Sequence, residues 1–111
     1  MKLVNKSRKQ TLSNDLKEAS GFLDRLFGLL IYSTFKALLF KTRFGMHTFF
    51  LKEPIDVLVL DKNFSVVKIC KNLKPFSLFF WNPKYCWLIE LPKNSLSQTD
   101  TKLGDKLAKF K

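Results

Sequence analysis

IDVLVLDKNFSVVKICK, residues 55–71, is the stretch whose reading decides the fold. Its first six residues are apolar on both faces apart from Asp56. A strand with one wet face alternates apolar and polar side chains, so a run like IDVLVL belongs inside a sheet covered on both sides. Lys62 and Asn63 then interrupt the run, and FSVVKICK resumes it with β-branched residues. Asn tolerates a positive φ, so the stretch reads as a β-hairpin turning at Lys62-Asn63.

Outward from the hairpin the chain stays strand-like. Pro54 cannot donate to a ladder and holds Glu53 extended, so it breaks the pattern before Ile55. ALLFKT (37–42) and MHTFFL (46–51) read as strands upstream, as do LVN (3–5) and the alternating stretch from Gln10 to Lys17. Between them the period changes: Leu23, Leu26, Phe27 and Leu30 recur at helical spacing behind Ser20, a suitable N-cap. One short helix is therefore predicted near residues 20–29.

Downstream, Pro75 and Pro83 bracket the aromatic segment FSLFFWN, read as a loop or irregular edge. KYCWLIEL is a strand with Cys86, Leu88 and Glu90 on one face and Tyr85, Trp87 and Ile89 on the other. A turn-rich connection leads to KLAKF as a last strand. Many short strands punctuated by turns, with one helix, point to a mainly β, mostly antiparallel small barrel or sandwich. The chain has no repeat, no low-complexity tract and no Pro/Ser linker, so residues 1–111 are read as one domain.

Composition agrees with a packed domain: 46% of residues are hydrophobic, 12 of them Phe, which excludes intrinsic disorder. The formal charge of +11 suits anionic partners such as nucleic acid, phosphorylated ligands or an acidic membrane surface. Only Arg8, Arg25 and Arg43 are arginines among the 20 basic residues. Bidentate recognition of phosphates and base edges favours the guanidinium fork, so scattered lysines read first as a solubilising surface. The longest uncharged run of the most hydrophobic stretch, Leu26 to Phe35, is too short to span a bilayer. With no apolar segment at the N-terminus, the expectation is a cytoplasmic protein without membrane insertion. Cys70 and Cys86 match no metal-binding spacing and are read as core thiols, so neither a metal nor a cofactor is expected.

Several motifs, in order, carry a family resemblance. FLDRLFGLL (22–30), MHTFFLKEPIDVLVLD (46–61), NLKPF (72–76), LIELP (88–92) and KLGDKL (102–107) resemble the signature stretches of domain-of-unknown-function family 192, also called uncharacterised protein family 0127. The resemblance runs from the second strand to the C-terminus. It implies a compact, mostly antiparallel β barrel or jelly-roll-like sandwich with a short helix, and no established activity. It places Arg25, His47, Thr48, Pro54, Asp56, Glu90, Gly104 and Asp105 at motif positions. Gly45 stands where the family usually has a small polar residue, and Phe76 where it usually has Trp.

His47 is the only histidine, which raises the question of a partner. If residues 52–54 form a tight hairpin, 47 faces 59 and Asp56 faces 50, leaving His47 and Asp56 roughly 10 Å apart. If the chain runs on through Pro54 they are farther apart still. Neither arrangement is an acid–base dyad, so Glu90 or Arg25 is the partner to look for. Glu90 shares its strand face with Cys86 and Leu88, where a carboxylate is costly unless bonded. It reads either as a strand-end residue before Pro92 or as one partner of a buried Arg25–Glu90 bridge or site lining. Asp56 reads as an acceptor of backbone N–H bonds, and Asp105 after Gly104 as turn chemistry. The chain has no GxSxG motif and no Gly-rich phosphate loop. Phe80 and Trp81 are candidates for surface stacking within an otherwise core-filling aromatic cluster.

Three functions follow, in order of preference. The first is a non-catalytic binding module with a polar cleft formed by Arg25, His47, Thr48, Asp56 and Glu90, for a small anionic or sugar-like ligand. The second is a basic nucleic-acid-binding domain, and the third a small enzyme using His47 as acid or base.

Overall fold

Asp61 closes the central hairpin by a different device from the one its sequence suggests. Its carboxylate accepts the backbone N–H of Asn63 at 2.8 Å and of Ser65 at 2.9 Å. The positive φ falls on Phe64 (61°) instead of Asn63. The Phe64 ring packs edge-on against Trp87, with centroids 5.5 Å apart, so ring burial holds the left-handed residue in place.

The computed structural model describes residues 1–18, 37–42, 45–47 and 53–111. In chain order the strands are β1 (Lys2–Asn5), β2 (Gln10–Ser13), β3 (Leu16–Glu18), β4 (Ala37–Lys41), β5 (Met46–His47), β6 (Ile55–Leu60), β7 (Val66–Leu73), β8 (Leu78–Phe79), β9 (Trp87–Pro92) and β10 (Leu107–Phe110). A 3₁₀ turn spans Leu96–Gln98. The predicted helix near residues 20–29 lies outside the described residues.

Among the described residues the strands form sheets in the orders β10-β1-β2, β3-β4-β9-β6-β7 and β5-β8. The five-stranded sheet is the middle layer, and alternate residues of its inner strands feed two cores. Leu39, Leu58, Leu60, Ile89 and Leu91 join Leu3 of β1 and Leu107 of β10 on one side. Leu38, Phe40, Val57, Val59 and Leu88 join Phe79 and Trp81 on the other. That is why all six residues of β6 are buried: neither face of the strand meets water. Each of these fully buried aliphatic side chains contributes about 1.5–3 kcal/mol of transfer free energy.

One strand expectation needs correction. Gln10 to Lys17 is two strands, because Ser13 Oγ accepts the Asp15 N–H at 3.0 Å and turns the chain between sheets. The pairing is mostly antiparallel, as expected, with β3 alongside β4 as the parallel exception among the described strands. Parallel neighbours need a crossover of a dozen or more residues, which the length of chain between Glu18 and Ala37 supplies. Among the described residues the sheets do not close into a barrel, and the architecture is sandwich-like.

Candidate functional site

The register of β6 against β9 separates the carboxylates that the sequence offered together. Val57 lies opposite Glu90 and Asp56 opposite Leu91. Residues paired across an antiparallel ladder project to the same side. Glu90 therefore emerges on the side of the core that contains Val57, Leu88 and Phe79, and Asp56 on the side that contains Leu58 and Leu91. The two carboxylates stand on opposite faces of the sheet.

His47 lies in β5, which pairs with β8 through Met46–Phe79 and His47–Leu78. The tight-hairpin register of 47 against 59 does not form, because β6 pairs with β7 and β9. Phe79 belongs to the same core as Leu88 and Val57, so the ribbon bearing His47 covers the face from which Glu90 emerges. Arg25 and Thr48 lie outside the described residues. Glu90 itself is 4% exposed, with Leu38 and Val57 beside it on the neighbouring strands.

Asp56 is buried and serves two backbone donors. Its carboxylate accepts the Asn72 N–H at 2.9 Å and the Leu96 N–H at 2.8 Å. Asn72 has a φ of 60° at the far end of β7, next to the irregular pairing between Ile55 and Val57. One side chain thus ties the end of the hairpin to the 3₁₀ turn, in keeping with the acceptor role read from its sequence context.

A second buried polar cluster joins the chain's two ends. Asp105 Oδ2 accepts from Arg8 Nε at 2.7 Å, Asn5 Nδ2 at 3.0 Å and the Lys102 N–H at 2.9 Å. Asn5 Nδ2 also donates to Thr101 Oγ1 at 3.1 Å. The Arg8 hydrogen bond foremost, reinforced by Asn5 and Lys102 against the effect of burial, lowers the Asp105 carboxyl to about 2. The turn chemistry expected at Asp105 is present, but Asn5, Arg8 and Thr101 carried no signal in the sequence. Asn5 and Arg8 lie almost a chain length away and meet Asp105 only through the β1–β10 pairing, and Thr101 joins through Asn5.

The aromatic segment divides by alternation. Phe79 and Trp81 point into the core, while Phe76, Leu78 and Phe80 are exposed by 77%, 59% and 60%. Trp81, expected as a surface stacker, is buried instead, and its Nε1 donates to the Tyr85 carbonyl at 2.8 Å. Phe80 is the surface ring of the pair. Lys68 Nζ donates to the Phe80 carbonyl at 2.9 Å and lies 4.9 Å from the centre of the Phe79 ring.

Both cysteines are free thiols, and burial pushes the Cys70 thiol up despite the opposing effect of Lys68. Among the described residues no three His, Cys, Asp or Glu side chains gather as a metal site, and no helix is long and apolar enough to cross a membrane.

Against known proteins, no family model matches the chain. It is 32% identical to a UPF0127 protein of Pyrococcus horikoshii over 97% of this chain and 98% of the relative. In fold it is similar to a protein of unknown function from Novosphingobium aromaticivorans, with a TM-score of 0.74 and 13% identity over 96% of this chain and 81% of the other. A crystal structure from Sinorhizobium meliloti is similar at a TM-score of 0.69 and 18% identity, covering 96% of this chain and 89% of that one.

Proposed function

The chain belongs to uncharacterised protein family 0127, and from that premise we propose that it is a non-catalytic binding module for a hydroxyl-rich, sugar-like ligand. Glu90 forms the polar floor of the site beneath the β5–β8 ribbon, whose strand β5 includes His47; Arg25 and Thr48, the other candidates, lie outside the described residues. One observation carries the reading: Glu90 is buried at 4% exposure on the apolar sheet face that the β5–β8 ribbon covers. The two oxygens of a carboxylate offer about four lone-pair sites, so Glu90 can accept a ligand hydroxyl in addition to its partner within the protein. A small anion fits less well, because the Glu90 charge repels it. In this reading Asp56 shapes the fold behind the site, since backbone N–H groups already occupy its carboxylate. The free thiols support a reducing, cytoplasmic setting.

The lone histidine makes the test direct. The His47 ring signals are followed by NMR through a pH titration, alone and with a panel of sugars, polyols and inorganic phosphate. Thermal unfolding is recorded in parallel. A sugar is expected to shift the ring signals and raise Tm. Glu90→Gln is expected to abolish both effects while the amide spectrum keeps its folded dispersion. An unresponsive His47 titrating near its ordinary value of about 6.5 would sink the proposal.

A further inference from the structure

Residues 62–89 contain Lys62, Lys68, Lys71, Lys74 and Lys84 and not one Asp or Glu. This acid-free stretch includes β7 and β8 and the exposed side chains Phe76, Leu78 and Phe80. Exposed apolar side chains grouped on one short segment are unfavourable in water and mark contact surfaces. The surrounding charge states the sign of the partner: it is an anion.

Gly45 decides what kind. A Cβ built there would come within 2.6 Å of Phe80 Cδ1 and 2.9 Å of Cε1. The Phe80 ring is therefore laid against bare backbone, in a space only glycine leaves open, and is still 60% exposed. A ring held down in this way is a platform. A side chain that enters a lipid surface has to project beyond its cations. Lys68, bonded to the Phe80 carbonyl, places a cation next to the platform, and Lys84 lies 5.7 Å from the centre of the Tyr85 ring on the same segment.

Exposed aromatic rings interleaved with lysines, one of them held against backbone as Phe80 is, are the chemistry that binds single-stranded nucleic acid, the bases stacking while the cations follow the phosphates. We propose that the outer surface of β8, with Phe76 and Phe80 as stacking platforms and Lys68 and Lys84 as phosphate contacts, binds single-stranded nucleic acid without strict sequence preference. The dearth of arginine in the chain agrees with recognition through charge and stacking in place of base edges. This surface lies outside the buried layer of Glu90, so the inference stands apart from the proposed ligand site.

The test is fluorescence anisotropy of the full chain with a labelled oligothymidylate about a dozen residues long, beginning at about 50 mM salt. Binding is expected, with a log Kd that climbs with log salt at a slope of about 1.5–2 for two or three phosphate contacts. The double variant Phe76→Ala/Phe80→Ala should bind at least about tenfold more weakly. Phe80→Trp should retain binding and add a tryptophan emission quenched by the bound bases. Lys68→Gln should lower the salt slope by about 0.7, and Glu90→Gln should leave affinity unchanged. No binding at low salt would overturn the proposal, and so would undiminished affinity in the double Phe variant. Sedimentation with phosphatidylserine vesicles in place of oligonucleotide binding would overturn it in favour of an anionic lipid surface.

Discussion

Asp56, Glu90 and Asp105 are all nearly excluded from solvent, and their different neighbours give them different parts. Asp56 meets two backbone N–H groups and Asp105 meets a guanidinium, an amide and a backbone N–H. Asp56→Ala would leave the N–H groups of Asn72 and Leu96 without their acceptor. A loss of about 2–4 kcal/mol is expected from the two, read as a lower urea midpoint with an unchanged slope. At this scale the sequence was partly legible. A carboxylate beside a Pro-Ile step announced a backbone acceptor, but its donors lie 16 and 40 residues away. The Gly45 departure from the family pattern was visible too, while its reason, the Phe80 ring lying against it, needed the β5–β8 pairing.

At the scale of elements, β6 and β9 organise the molecule. Each is flanked on both sides within the five-stranded sheet, and their residues alternate between the two cores. Leu58 is fully buried between β9 and β7, whereas Val67 lies on the edge strand β7 and is half-buried. Leu58→Ala is expected to cost about 2–5 kcal/mol, because the interdigitated layers around it cannot collapse into the space. Val67→Ala should cost about 1 kcal/mol or less, and urea denaturation of the two variants checks the order. The placement of IDVLVL inside the sheet was legible, since a run without a polar face has only one kind of position available. The pairing of β6 with β7 was legible too, from the turn residues between them, whereas the pairing with β9 was not, because nothing in the local pattern points to a strand about 30 residues away.

At the scale of the whole molecule, the ends of the chain close on each other. β1 pairs with β10, and Asp105 ties Asn5 and Arg8 to the loop before that last strand. The Lys109–Glu18 ion pair adds a link between two sheets. This closure is predicted to be acid-sensitive. The Asp105 carboxyl titrates at about 2 in the folded chain and near its ordinary value of about 3.9 when unfolded. A carboxyl lowered by folding stabilises the native state above its unfolded value and loses that contribution as pH falls through its folded one. Stability should therefore decline from about pH 4 towards pH 2. Asp105→Asn should be less stable at neutral pH and show a flatter profile across that window, measured as urea midpoints at successive pH values.

What the sequence determined by itself was the β class, the positions of most strands and the family signature, because each of these follows from local periodicity, turn chemistry and short motifs. The tertiary structure alone decided that Asp56 and Glu90 face opposite cores and that Trp81 is buried while Phe80 is exposed. It alone decided that β3 runs parallel to β4 and that the ends of the chain share one buried polar cluster. Side-chain direction in a sheet reverses with every residue of register. Register is set by which distant strands pair, so the grouping of polar side chains into sites belongs to the assembled layers.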